Sequence, residues 1–210
     1  GEPRRPLPTL DRNVRDPVFA PGDEAIVFRL EDSAEEQLAR VNLASGELER
    51  VVAGDLAVGA FDVHRSGRAA VLVSAPHMPT EIFLWDGDSH RRLTHANELV
   101  LNALHLGDVN NVTFPSRDGT TIEGFIVTPP DYDSRRRYPT LLRIHGGPVS
   151  QYNFAFNSEA QFFAAHGYVV VMANPRGSSG YGQDFSAALW ADWGNKDLED
   201  VLAGVDYAIP

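Results

Sequence analysis

The sequence predicts blades of a β-propeller over its first hundred or so residues and an α/β segment with a parallel sheet after them. Three observations carry that reading. Phe19 and Phe61, Leu43 and Trp85, and Val51 and Leu93 are each 42 positions apart, a period that fits four short strands per repeat. Two apolar runs, Thr140 to Ile144 and Tyr168 to Ala173, enclose a helix-like segment. Directly after the first run stands His145-Gly146-Gly147-Pro148, a glycine turn at the end of a strand.

Residues 1–15 hold three prolines and four arginines with little periodicity, and read as a lead-in whose structure depends on its neighbours. The repeat opens at Asp16. Each unit has a turn (Pro21 to Asp23; Arg65 to Gly67), then an apolar strand (Ala25 to Phe28; Ala69 to Val73). An alternating strand follows, carrying Leu38, Val41 and Leu43 in one unit and Ile82, Leu84 and Trp85 in the other. The turns Ser45-Gly46 and Asp86-Gly87 then lead into a last strand. A β-sandwich of irregular hairpins is the alternative. Two blades cannot close a ring, so further blades are expected upstream. This gives two C-terminal blades and a linker over 16–108, with Leu99 to Gly107 as the strand or linker that leaves the last blade.

The second part, 109–210, begins near Asn110. Val112 to Phe114 and Thr121 to Val127 flank Ser116-Arg117-Asp118-Gly119, a hairpin signal. Pro129-Pro130 ends the second strand, and an exposed polar loop runs from Asp131 to Arg137. Tyr168 to Ala173 is apolar enough to be buried on both faces of a parallel sheet. The helix from Asn157 to His166 groups Phe162, Phe163 and Ala165 on one side, and Gly167 is placed to terminate it. Strand, helix and strand imply a right-handed crossover. Gln183 to Trp190 reads as a short helix. A clearer one follows, with Leu198, Val201, Leu202, Val205 and Ile209 at helical spacing and Asp197, Glu199 and Asp200 at the positive end of its dipole.

Composition narrows the function. Acidic residues outnumber basic ones on both sides of Asn110 and the formal charge is −11, so nucleic acid is not an expected partner. The absence of cysteine excludes disulfides, thiolate metal sites and a cysteine nucleophile. The histidines show no metal-ligand spacing, and neither a metal nor a cofactor is expected. No apolar run approaches the roughly 20 residues that span a bilayer, so no membrane association is expected, and the cytoplasm is the preferred location.

The candidate site residues are Gly146 and Gly147. Glycines directly after a strand leave backbone N–H groups unobstructed, and such loops supply half of an oxyanion hole in lipases and esterases. Taken alone, paired glycines after a strand are better read as a tight turn, and it is Pro148 and the second motif, Asn174 to Gly182, that favour the oxyanion reading. A histidine at position 145 is expected to shape the loop by packing or hydrogen bonding, since no nucleophile is identifiable for it to serve as a base. The glycine-rich Asn174-Pro175-Arg176-Gly177-Ser178-Ser179-Gly180-Tyr181-Gly182 lacks the Lys-Ser/Thr ending of a phosphate loop. It reads as a structural turn near the site, with Arg176 tying loops together and Trp190 and Trp193 packing.

Together, His145-Gly146-Gly147-Pro148, the run Asn174 to Gly182, Asp192-Trp193-Gly194 and Asp197-Leu198-Glu199-Asp200 resemble the prolyl oligopeptidase family, acylaminoacyl peptidases in particular. The resemblance implies β-propeller blades followed by the first part of an α/β-hydrolase domain, and hydrolysis of short or N-acylated peptides by a serine, aspartate and histidine triad. It makes Gly147 N–H the favoured oxyanion donor, paired with the N–H after the serine. It also implies a propeller that admits peptides and excludes folded proteins. Some members have a tyrosine where His145 stands.

No Gly-x-Ser-x-Gly elbow occurs between Gly1 and Pro210. The nucleophile, acid and base are therefore expected outside these residues, in the remainder of the polypeptide, and the segment alone is expected to be inactive. An esterase or lipase using the same loop, and a non-catalytic binding protein with a hydrolase-like fold, stay open as alternatives. Homo-oligomerisation is also left open.

Overall fold

The computed structural model describes residues 4–209, so the first three residues of the expected lead-in and Pro210 lie outside the described residues. The chain divides into two compact units. One comprises the residues up to Asn97 with Asn153–Ala155; the other comprises Glu98–Tyr152 and the residues from Phe156 onward.

The first unit is eight strands: β1 (Asn13–Phe19), β2 (Ala25–Asp32), β3 (Glu35–Asn42), β4 (Leu48–Val52), β5 (Ala57–Val63), β6 (Ala69–Ala75), β7 (Met78–Trp85) and β8 (His90–Arg92). β1 to β4 and β5 to β8 are each an antiparallel meander in which every strand pairs with its neighbour in sequence. The two meanders join through one parallel bridge, Glu36 to Ala57. Corresponding strands start 44 positions apart at Asn13 and Ala57 but 42 apart at Leu48 and His90. The offset legible in the sequence thus belongs to the fourth strand of each set.

β1 opens at Asn13, ahead of Asp16. Asp16, where the sequence places the start of the repeat, instead lies within β1 with φ 51, at a break in register between Arg15 and Val18. The side chains of Asn42 and Asp86 make the turns that close β3 and β7. Each accepts two successive backbone N–H groups, those of Ala44 and Ser45 and those of Asp88 and Ser89.

Alternation along the strands sets the cores. Val27 and Leu38 face Val58, Val71, Val73 and Trp85 in one apolar cluster. Phe28, Leu30, Ala39 and Val41 point to the opposite face, where Leu7 and Leu10 of the lead-in pack on them. The two central strands of the first meander, β2 and β3, are therefore buried on both faces, while β1 and most of β4 are not. Asn153–Ala155 also belongs to this unit, and Phe154 N–H donates to the Ala34 carbonyl at 3.1 Å.

One buried carboxylate organises the end of this unit. Glu81 on β7 is 1% exposed. It accepts the Thr94 hydroxyl, the Arg92 guanidinium at 3.1 Å, the N–H groups of Ala96 and Asn97 at 3.2 and 3.1 Å, and the Asn97 amide at 3.1 Å. These donors, the Thr94 hydroxyl first, lower its pKa to about 2. A carboxyl with a depressed folded-state pKa adds stability above its ordinary value, and that stability is lost as pH falls towards about 2. Glu81→Ala is expected to lower the thermal midpoint at neutral pH and to flatten its decline between pH about 4.5 and about 2. Thermal melts of both proteins across that range check this.

The second unit begins with a single helical turn, α1 (Glu98–Leu101), where the sequence predicted a strand or linker; none of its residues is buried. Without a buried side the segment has no sheet to join. The predicted hairpin is present as β9 (Val109–Pro115) and β10 (Thr121–Val127). β11 (Thr140–Arg143), α2 (Ser158–Ala165) and β12 (Val169–Asn174) follow, then α3 (Gln183–Ala187) and α4 (Lys196–Ala208). The sheet order is β11-β12-β10-β9, with β11 and β12 parallel and the other pairs antiparallel. Every residue of β12 is buried, as its unbroken apolar run predicts.

Neither main helix buries the whole of the apolar set marked by its spacing: Val201 of the α4 set is buried, while Phe162, Leu198 and Leu202 are exposed. In α2 the buried residues are Ala160, Gln161 and Ala164, whereas Phe162 is 59% exposed. Small side chains let the helix approach the sheet, and Gln161 is engaged on both ends of its amide: it accepts Gly107 N–H at 2.8 Å and donates to Gly107 O at 3.1 Å. Asn157 caps the helix by accepting Ala160 N–H at 2.9 Å.

In α4 the buried residues are Asp200, Val201 and Gly204, while Leu198 and Leu202 are 50% and 48% exposed. Gly204 explains the choice. A Cβ there would lie 3.0 Å from Phe114 Cζ, so the helix docks through its glycine rather than through its leucines. Among the described residues no helix is long and apolar enough to cross a membrane.

Candidate active site

Two loops at the ends of parallel strands build the site. The first, His145 to Tyr152, follows β11; the second, Pro175 to Gly182, follows β12. Gly147 has φ 141, and the Gly147–Pro148 peptide is cis. A Cβ on Gly147 would lie 2.8 Å from Val149 N and 3.2 Å from Ser150 N, so this position requires glycine. Gly146 has open space around its Cα and no such constraint. Among the described residues, neither Gly146 N–H nor Gly147 N–H donates a hydrogen bond to protein.

Both glycines border a cleft of about 250 Å³, whose walls include His145, Pro148, Leu189, Trp193 and Leu198. A larger cleft of about 630 Å³ runs along Phe114, Arg117, Leu202 and Tyr207 and contains no residue of the glycine loop. We place the candidate site at the smaller cleft, because two unpaired backbone donors outweigh volume as a sign of chemistry.

The second loop pins the first, residue by residue. Asn174, fully buried, accepts Tyr152 N–H at 2.7 Å and donates to Tyr152 O at 2.8 Å, as a neighbouring strand would. The same amide donates to the Tyr181 hydroxyl at 2.9 Å, which donates in turn to Glu123 at 2.7 Å. Burial first, and Glu123 after it, push the Tyr181 phenol well above its ordinary pKa. Ser179 N–H donates to Ser150 O at 2.9 Å.

His145 sits between the loops. Its Nδ1 is 3.0 Å from Gly146 O and its Nε2 is 3.1 Å from Ser178 Oγ, and its ring stands edge-on to Tyr152. Burial lowers its pKa, opposed by the Gly146 carbonyl, so the neutral imidazole is favoured. His145 thus touches the loop through hydrogen bonds.

Beneath the second loop lies a buried ionic cluster. Arg176 and Asp200 are 6% and 0% exposed. Asp200 accepts Arg176 N–H at 2.8 Å, Arg176 Nε at 3.0 Å, Arg176 Nη2 at 2.7 Å and the Ser116 hydroxyl at 2.5 Å. Arg176 Nη1 reaches Asp118 at 2.5 Å. The guanidinium therefore joins the second loop to α4 and to the β9–β10 turn, the tying role its sequence position predicts.

Sequence reasoning missed Asp200 and Asn174. It assigned Asp200 to the helix dipole, although its spacing from Val201 and Gly204 puts it on the buried face. Nothing local announces that Asn174 pairs with Tyr152. The packing role expected of Trp190 and Trp193 is corrected: they are 89% and 63% exposed, because the segment after α3 turns its aromatic rings outward. Among the described residues no group of three or more His, Cys, Asp or Glu side chains is arranged to hold a metal.

Comparison with known proteins points to peptidases. The model of the prolyl oligopeptidase family matches residues 154–210. An uncharacterized peptidase, YuxL, of Bacillus subtilis is 37% identical over 138 residues, 65% of this chain and 21% of its own length. Dipeptidyl-peptidase 5 of Porphyromonas gingivalis is 28% identical over 207 residues, 95% of this chain and 30% of its own. A solved acylaminoacyl peptidase in complex with Z-Gly-Gly-Phe-chloromethyl ketone superposes with a TM-score of 0.89 at 29% identity, covering 99% of this chain and 32% of that one. The acylaminoacyl peptidase of Pyrococcus horikoshii gives 0.85 at 29%, covering 96% and 31%. The chain thus spans about a fifth to a third of the length of these relatives. Matched in its closing residues by the family model and along most of its length by peptidases, the chain is similar to the prolyl oligopeptidase family.

Proposed function

We propose that the whole protein is a serine peptidase that hydrolyses short or N-acylated peptides by acyl transfer, and that Gly147 N–H, with Gly146 beside it, forms part of its oxyanion hole. The observation that carries this reading is the pair of unpaired backbone donors on a loop clamped by Asn174 and Ser179 and bordering a cleft. On this reading the two antiparallel meanders are propeller blades, and the sheet β11-β12-β10-β9 opens an α/β-hydrolase domain. The nucleophile, acid and base lie outside these 210 residues.

The chemistry runs in two steps. The serine hydroxyl loses its proton to the histidine as its oxygen attacks the peptide carbonyl, and the negative charge that forms on the carbonyl oxygen is met by Gly147 N–H. Collapse expels the amine, which takes the proton from histidine, and water then releases the acyl group by the same route. Donors fixed before the charge develops need no reorganisation when it appears, which is what a clamped loop supplies.

The test uses the full-length protein with a serine-directed fluorophosphonate and three chromogenic substrates: an N-acetyl-amino-acid anilide, a dipeptidyl anilide and a short-chain ester. Covalent labelling with anilide turnover supports the reading. Labelling with ester turnover alone replaces it by an esterase, and no labelling with no turnover replaces it by a non-catalytic binding protein.

A further inference from the structure

Every donor and acceptor in the clasp on Tyr152 has its direction set. The Glu123 carboxylate only accepts, so the Tyr181 hydroxyl, 2.7 Å away, spends its single proton there. The hydroxyl oxygen is left to accept, and it takes one proton of the Asn174 amide at 2.9 Å. The second amide proton goes to Tyr152 O at 2.8 Å, while Asn174 Oδ1 accepts Tyr152 N–H at 2.7 Å. Three partners therefore fix one amide. The far end of this relay stands on the sheet, because Glu123 lies on β10 and its other oxygen accepts the Asn111 amide of β9 at 2.9 Å. Asn174 is fully buried, so a partner lost here is not replaced without cost.

Little slack separates the clasp from the glycine loop. Ser150 N–H donates to Pro148 O at 2.7 Å, a tight turn directly after Gly147, and a Cβ on Gly147 would already meet Val149 N and Ser150. Ser179 N–H holds this turn at Ser150 O, and two residues on Asn174 holds both polar backbone groups of Tyr152. All of these residues belong to the second unit.

We propose that Tyr181 is a positioning residue: its hydroxyl, donating to Glu123 and accepting from Asn174, holds the amide that clasps Tyr152 and so keeps the loop that carries Gly147 N–H in place. That it serves catalysis rests on the peptidase reading above; that it holds Tyr152 does not.

The test compares the full-length wild type with Tyr181→Phe and Asn174→Asp. Tyr181→Phe keeps the ring that packs 4.9 Å from Phe185 and removes only the hydroxyl. Loss of one neutral hydrogen bond corresponds to a kcat about 2- to 12-fold lower with KM little changed. Deuterium exchange at Tyr152 N–H is expected to quicken in the same variant. Asn174→Asp makes the clasp titratable. Its protonated carboxyl still accepts Tyr152 N–H and donates to Tyr152 O, whereas the ionised form sets a second acceptor against that carbonyl and opens the clasp. Burial favours the protonated form, so kcat of this variant divided by that of the wild type at the same pH is expected to rise several-fold as pH falls.

Wild-type kcat and wild-type exchange in Tyr181→Phe overturn the proposal, whether or not Asn174→Asp folds. A lower kcat with unchanged exchange overturns the route through Tyr152. Faster exchange with kcat unchanged, or an Asn174→Asp ratio that stays flat or falls towards acid, overturns the link from clasp to reaction. Failure of the wild type to label with fluorophosphonate ends the catalytic half through the peptidase reading, and exchange at Tyr152 then decides the clasp by itself.

Discussion

Gly147→Ala is expected to lower kcat/KM of the full-length protein on a peptide substrate by about 100- to 1000-fold, the loss that follows removal of one oxyanion donor. The variant keeps the N–H, so the effect comes from where the backbone must go. A Cβ would meet Val149 N at 2.8 Å, and φ of 141 is a conformation that residues with side chains rarely adopt. The loop must shift by a substantial fraction of an ångström, enough to take the donor out of line. Gly146→Ala supplies the control. Its Cβ meets nothing within 4 Å, so only a few-fold change is expected. Parallel steady-state kinetics on the two variants check this, and a Gly147→Ala enzyme within a few-fold of wild type would refute the oxyanion assignment.

Asp200→Ala should destabilise the protein by about 3–5 kcal/mol, the cost of leaving a buried charge without its partner. Asp200 accepts two side-chain bonds and one backbone bond from Arg176, and the Ser116 hydroxyl besides. Its loss leaves Arg176 with the half-exposed Asp118 as its charged partner and a long contact to the Ser116 hydroxyl at 3.5 Å. Removing both charges, as Arg176→Met with Asp200→Leu, is expected to recover much of the loss, since the penalty comes from the unpaired guanidinium rather than from the missing attraction. Urea denaturation followed by tryptophan fluorescence measures the three proteins. A double variant as unstable as the single one would show that the cluster acts through loop geometry and not through charge.

Which parts of this molecule were legible in its sequence follows from the range of the forces involved. The strands, the all-buried β12, the start of α2 at Asn157 and the stop at Gly167 are set by neighbours a few residues apart, through side-chain alternation, backbone sterics and local hydrogen bonds. So was the glycine pair after β11, whose second member has no alternative residue. The buried faces of α2 and α4 match the apolar spacing only in part, for a different reason. Hydrophobic spacing marks which residues favour burial, but approach distance decides which are buried, and small residues (Ala160, Ala164 and Gly204) won over Phe162 and Leu202.

By itself, then, the sequence determined the order of strands and helices, the loop after β11 and the motifs that carry the family resemblance, because each rests on short-range geometry or on a run of adjacent residues. Only the tertiary structure decided that Asn174 clasps Tyr152, that Asp200 neutralises Arg176 and that Ser178 faces His145. Those partners are separated by between 22 and 33 positions in the chain, and a hydrogen bond forms only where folding brings donor and acceptor within about 3 Å.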